Sequence, residues 1–168
     1  MDKNEHIQHF LREAGIPFTL HEHEPMLTIK ACQEIPGVNW ERAAMCKNVF
    51  LCNRQETDFY LVLLRHDRSF RTSVVSKLLG VSRLSFAKSE RLAQMLLVEP
   101  GAVNPLSLMF DQKQAVTLAV DDTLARYERL LFHPGVNWLS VELATLDFFN
   151  RFLPAVNHQP VLLTIPED

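Results

Sequence analysis

The chain has 168 residues, with 17 lysines and arginines against 20 aspartates and glutamates, a net charge of −3, 47% hydrophobic residues and a mean hydropathy of −0.03. These values exclude a disordered chain, a collagen-like repeat, a disulfide scaffold and an integral membrane protein, and they suit a single domain, residues 1–168, that buries its own core. The net negative charge also argues against a general nucleic-acid coat, which would be basic overall.

Taken in chain order, Ile7, Phe10, Leu11 and Ala14 recur at helical spacing, and Gly15 stands where a helix ends. Pro17 then forces extension through Phe18 and Leu20. Thr28 is placed to cap a short helix running to Glu34 and stopped by Pro36-Gly37. Lys47–Asn53 and Phe59–Arg65 are apolar runs around a polar turn, which predicts a hairpin. Val74, Val75, Leu78 and Leu79 mark a helix closed by Gly80. Arg83–Phe86 reads as a short strand, and Ser89 as the cap of a helix carrying Leu92, Ala93, Leu96 and Leu97. After a Pro- and Gly-punctuated loop, Leu106–Phe110 and Ala115–Val120 read as strands, and Asp122–Glu128 as a helix. Leu130–His133 and Asn137–Val141 read as strands around Pro134-Gly135. Leu146, Phe149 and Leu153 stripe a last helix, and Val161–Ile165 closes the chain as a strand. Strands and helices interleave irregularly, without repeats or linkers, so the fold class is mixed α/β (α+β): a mixed sheet with helices packed on it.

The chemistry-bearing residues are scattered. Cys32, Cys46 and Cys52 are odd in number and fit no zinc spacing, so they read as reduced thiols of a cytoplasmic protein. The opening MDKNEHIQHF has no apolar targeting segment, and no run approaches the length of a membrane span. No Gly-rich phosphate loop and no GxSxG elbow occurs. His21 and His23 alternate in an extended segment; a solvated edge strand is the simpler reading, and a metal site the sharper one. Lys47-Asn48 opens an apolar strand, where a lysine ordinarily reaches solvent but can face a cleft. His133 ends another strand, either as a structural residue or as a contact to substrate or water. Gly101, Ala102, Val103, Asn104 and Pro105 form either a surface turn or a backbone cradle for an oxyanion.

Charge is uneven. Between Arg65 and Arg91 stand seven bases (Arg65, Arg68, Arg71, Lys77, Arg83, Lys88, Arg91) and two acids, Asp67 and Glu90. This window is either a solvated face or a phosphate-contacting patch. Phe70 and Phe86, inside it, read as core rather than as base-stacking platforms.

Together these segments resemble the YbaK/ProX superfamily of aminoacyl-tRNA editing domains, and within it the free-standing prolyl-tRNA deacylases. Gly15-Ile16-Pro17-Phe18 with His21-Glu22-His23-Glu24-Pro25 resembles the family's opening segment. Lys47-Asn48-Val49-Phe50-Leu51 resembles its KNLFL strand, and Arg83-Leu84-Ser85-Phe86-Ala87 its rlSFa strand. Gly101–Pro105 resembles the GxxxP loop, and Phe132-His133-Pro134 with Asn137 resembles FHPxxN. Asp147-Phe148-Phe149, Phe152-Leu153 and His158-Gln159-Pro160 resemble the last helix and its exit. The chain departs from the pattern at Leu97 and Asn157, where relatives carry glycine, and at Gly135 and Trp138 beside His133.

The resemblance implies a strongly curved mixed sheet wrapped by helices and a hydrolase that removes a wrong amino acid from tRNA. Ala-tRNA(Pro) is the first substrate, with Cys-, Ser- or Thr-charged tRNA, or a non-catalytic tRNA- or synthetase-binding module, as alternatives. It implies no cofactor, no metal, no DNA and no membrane. The partners are the acceptor end of tRNA and, transiently, prolyl-tRNA synthetase or an elongation factor. Lys47, Asn48 and His133 would carry catalysis, residues 101–105 and Asn137 would bind substrate, and Arg65, Arg68, Arg71, Lys77 and Lys88 would contact tRNA.

Overall fold

A computed structural model describes residues 2–25 and 34–167. The expected helix between Thr28 and Glu34, and Cys32, fall essentially outside that range. Eight strands form one mixed sheet: β1 Thr19–Glu22, β2 Ala43–Cys52, β3 Phe59–Arg65, β4 Ser85–Phe86, β5 Val116–Asp121, β6 Arg129–Phe132, β7 Leu139–Ala144 and β8 Val161–Leu163. Their order is β1-β7-β6-β2-β3-β5-β8, with β4 also on β2. The helices are α1 Lys3–Glu13, α2 Thr72–Leu79 and α3 Ser89–Met95, then α4 Thr145–Asp147 and α5 Leu153–Ala155 on either side of a π-helical turn, Phe148–Phe152.

Strand alternation sorts the sheet's side chains. Ala44, Cys46, Phe50 and Cys52 of β2, Leu61 and Leu63 of β3, Leu118 and Val120 of β5, and Phe132 of β6 share the main core. That core is closed by Phe148 and Phe152, whose rings stack at 5.8 Å, with Phe132 5.1 Å from Phe148. The opposite face holds two smaller clusters, one around Leu51, Val62, Leu64 and Val75, the other around Ala43, Met45 and Leu131.

β2 holds two partners in succession on one edge. β6 pairs with it in parallel only over Ala43–Met45, and β4 antiparallel only at Leu51 and Cys52. β3 pairs with the other edge from Cys46 to Cys52. The middle of β2, with Lys47 and Asn48, therefore lies in a gap between β6 and β4.

Several boundaries differ from those read in the sequence, for local reasons. Pro105–Phe110 is a 3-10 helix rather than a strand: Pro105 begins it, lacking the N–H a ladder needs, and Leu106, Ser107 and Leu108 are buried in succession rather than in alternation. Asp122–Arg126 is also 3-10, capped by the Asp121 carboxylate on Thr123 N. Ser89 is the first residue of α3, and its N-cap is Lys88, with no side-chain bond. β7 begins at Leu139 rather than Asn137, because the turn through Gly135 (φ +86°) takes up the residues before it. Leu97 (φ +57°) and Asn157 (φ +57°) both adopt the left-handed conformation that glycine enters without strain, which suits the glycine that the resemblance implies at these positions.

The charged residues of the β3–α2 connection are built into the structure. Arg68 is 6% exposed and Asp121 fully buried, with Arg68 Nε 3.0 Å from Asp121 Oδ2. Asp121 also accepts from Arg65 N (3.0 Å), Thr123 N (3.0 Å) and Thr123 Oγ1 (2.7 Å). Arg68 donates to Ile165 O at 2.9 Å and reaches Glu167 Oε1 at 3.0 Å, which ties down the C-terminal segment. Asp121→Ala strands a buried guanidinium, so unfolding stability should fall by about 3–5 kcal/mol, whereas Arg68→Met should cost less than Asp121→Ala. Urea unfolding of the two variants measures the difference.

Candidate active site

Lys47 belongs to the face of the smaller clusters, because it alternates with Met45 and Val49 along β2. Its ammonium, half-buried, donates a hydrogen bond to the Arg68 carbonyl. That carbonyl is fixed by the Arg68–Asp121 ion pair, so the lysine is aimed by the loop that follows β3. His66, in the same loop, is pushed below the ordinary histidine range, first by burial and in smaller part by the nearby charges of Arg65 and Lys47, against the opposing charge of Asp67. Its Nδ1 is buried with no hydrogen-bond partner among the described residues.

His133 lies one residue beyond β6. The last β2–β6 pair is Met45 with Leu131, so Lys47 and His133 each stand two residues past the end of that pairing, and alternation assigns both to the face of the smaller clusters. Its Nδ1–H donates to Leu139 O at 3.1 Å and lies 3.3 Å from Ser140 Oγ. The Ser140 hydroxyl donates to His23 Nε2 at 2.8 Å, and His23 Nδ1–H donates to Glu24 O at 2.8 Å. Carbonyl acceptors at both Nδ1 atoms set the tautomers and make Nε2 the acceptor nitrogen of each ring. The two imidazoles meet edge to face at 5.7 Å. Burial lowers the His133 pKa, Leu139 O opposes that shift, and the neighbouring His23 adds to it.

His21 is occupied differently, 3.0 Å from Glu142 Oε1, and Glu142 also pairs with Arg129. Among the described residues no cluster of three or more His, Cys, Asp or Glu is placed to hold a metal. Cys46 and Cys52 are free and buried, and burial raises both thiols, so neither is a ready nucleophile.

Asn48 points away from Lys47, into the main-core face. Its Nδ2 donates to Cys46 O at 3.1 Å, while its Oδ1 is buried without a partner among the described residues. The 101–105 loop packs on that same core through Val103. Gly101 is exposed, and a Cβ there would meet nothing within 4 Å, so the open side of the loop faces space. Ala102 N–H donates to Glu99 O at 2.9 Å, and Asn104 Nδ2 bonds Ala102 O (2.9 Å) and Ser107 Oγ (3.0 Å). Asn104 Oδ1, fully buried, has no partner among the described residues. Asn137 is half-buried in the β6–β7 turn. That turn reaches the loop region: Gly135 and Val136 line a cavity of about 470 Å³ with Leu97, Phe110 and the start of α1.

The expected phosphate-contacting patch separates into two groups. Arg68 is corrected outright, since burial and its pairing with Asp121 remove it from the surface. Arg65 is paired with Asp67 and lies 3.7 Å from Glu167. Lys77, Arg71 and Arg83 are exposed, and Lys88 is exposed with Glu56 at 3.8 Å. Phe70 is half-buried as expected, but Phe86 is 63% exposed, against its reading as core. A two-residue edge strand inside a basic window was the signal for it.

The aminoacyl-tRNA editing domain family model matches residues 23–150. The prolyl-tRNA synthetase associated domain-containing protein 1 of Danio rerio is 30% identical over 98% of this chain and 88% of its own length. The prolyl-tRNA editing protein ProX of Acetoanaerobium sticklandii is 30% identical over 88% of each chain. A crystal structure provisionally described as a trans-editing enzyme for prolyl tRNA synthetase superposes with a TM-score of 0.71 at 15% identity, covering 99% of both chains, and shares the fold.

Because burial holds His133 and His66 below 6.5, the unfolded chain binds protons that the folded chain refuses as pH falls through that value. Stability should therefore drop between about pH 7.5 and about pH 5.5, and His133→Gln should shrink the drop. Urea midpoints at the two pH values test this; an undiminished drop in the variant would contradict it.

Proposed function

The chain belongs to the aminoacyl-tRNA editing domain family, and on that premise we propose that it hydrolyses the ester of a mischarged tRNA, with Ala-tRNA(Pro) as its first substrate. The observation that carries this reading is Lys47, aimed by the Arg68 carbonyl at the gap in the edge of β2 that opens where the pairing with β6 ends.

In this reading water adds to the ester carbonyl, the bond to the terminal ribose oxygen breaks, and a proton passes to that oxygen. The products are a free amino acid and an uncharged tRNA end. The Lys47 ammonium contacts the terminal phosphate or sugar and holds the ester in line. His133, with Nε2 as its acceptor nitrogen, orients the attacking water. Ala102 N–H is engaged and Pro105 has none, so the amides of Gly101, Val103 and Asn104 are those a carbonyl cradle would use. Asn48 Oδ1, a buried acceptor still lacking a donor, suits the α-amino group of the aminoacyl moiety. Asn137 supports the turn that carries His133.

Discrimination follows the logic of a second sieve. Binding differences of one or two methylenes are small, so a site that admits alanine and excludes proline by size removes what synthesis wrongly accepts. The reading further assigns the chain one editing domain over its whole length, a cytoplasmic site of action and prolyl-tRNA synthetase as a transient partner. Cys46 and Cys52 take no part, and no metal is involved.

Folded Lys47→Ala should lose about 10²-fold or more in kcat/KM for Ala-tRNA(Pro). His133→Ala should lose less, about 10-fold, with a change in preference across Ala-, Cys-, Ser-, Thr- and Pro-tRNA(Pro). Single-turnover deacylation of that panel reads both, and near-normal turnover by Lys47→Ala would remove the lysine from the mechanism.

A further inference from the structure

We propose that Phe86 is a stacking platform for an unpaired base of the single-stranded RNA end whose terminal ester lies at Lys47; this deepens the editing reading and rests on it. Phe86 is 63% exposed although it sits in a strand. Its register partner is Leu51, and paired residues project to the same face, which is also the face of Lys47. The gap in the β2 edge runs from Lys47 to that pair, so the two sites lie about 13 Å apart along the strand. A single strand covers this within a few nucleotides at ~3.4 Å or more each.

The ring is also held and electrostatically framed. Phe70, half-buried in the smaller cluster, meets Phe86 edge to face at 5.5 Å and 65°. An aromatic ring braced by one neighbouring ring and largely exposed otherwise gives contact area at little entropy cost. Arg83 and Lys88, three residues before and two after, are exposed, as is Lys77 on α2. Exposed aromatics framed by bases bind single-stranded nucleic acid by stacking, with the backbone on the cations. An apolar protein partner would gain nothing from those flanking charges.

The test compares two substrates. The alanyl ester of adenosine has no neighbouring base, whereas an alanylated minihelix ending in single-stranded CCA has them. Phe86→Ala, checked for folding by circular dichroism, should lower kcat/KM for the minihelix by about 10-fold, through KM, and leave the adenosine ester unchanged. Phe86→Trp should restore the minihelix rate, and Phe86→Leu should not. The salt dependence of minihelix KM should keep its slope in Phe86→Ala, since no charge is lost. Equal losses on both substrates, or wild-type behaviour of Phe86→Leu, would overturn the stacking role while leaving editing intact. If the wild-type protein hydrolyses neither substrate, the editing reading fails. Fluorescence binding of the uncharged minihelix then decides stacking separately: weaker binding by Phe86→Ala sustains it, and equal or absent binding ends it.

Discussion

The buried pair of Arg68 and Asp121 is the constraint on which much of the molecule depends. Asp121 ends β5 and gathers the β3–α2 loop through Arg65 N and Arg68, and the following turn through Thr123. Arg68 in turn holds the C-terminal segment at Ile165 and Glu167. A desolvated pair of this kind contributes little net stability over an apolar substitute, but it is costly to break from one side. Its value lies in position. The peptide it fixes presents the carbonyl on which the Lys47 ammonium rests, so one ion pair sets loop, strand end, tail and lysine at once.

A second constraint is the divided edge of β2. A strand of ten residues that kept one neighbour throughout would have no unpaired stretch to offer a ligand. Here β6 leaves after Met45, and β4 arrives only at Leu51. Between them, the outer edge of β2 carries no strand partner among the described residues. Lys47 and His133 approach from the side of the smaller clusters, and Asn48 from the side of the main core, where the 101–105 loop also packs. Alternation, which separates adjacent residues of a strand, thus supplies a site with groups from two directions.

Much of this was legible in the residues, and the exceptions have physical causes. The hairpin of β2 and β3, the helical stripe of α1 and the positions of Lys47 and His133 follow from periodicity and motif, because local sequence dictates them. Pro105–Phe110 was misread because its apolar run suits a strand or a tightly wound helix equally, and only the proline at its start and the burial of Ser107 between Leu106 and Leu108 point to the helix. Arg68 was misread because counting charge says nothing of burial: its partner Asp121 stands 53 positions away in the chain, outside any local window. Phe86 was misread for the converse reason, since hydrophobicity predicts burial only where a strand has a neighbour on its outer side. Leu97 and Asn157, departures as sequence, proved informative through their left-handed backbone.

The loss of Arg68 from the surface also changes how the net charge should bear on RNA binding. Phosphate contacts bring affinity that is sequence-blind and falls steeply with salt, and each one slows release of the uncharged product as much as it favours the substrate. In a chain of net charge −3, with Arg65 and Arg68 both internally neutralised, the basic window keeps Arg71, Lys77, Arg83 and Lys88 exposed for that purpose. Stacking adds affinity at one place without extending the electrostatic field, and it acts on the unpaired end rather than on the duplex. In the proposed arrangement the terminal nucleotides are held at two points along β2, the ester at Lys47 and a base at Phe86, while the rest of the acceptor stem touches a modest group of exposed bases. Such an enzyme selects for a free, mischarged end and lets the body of the tRNA go.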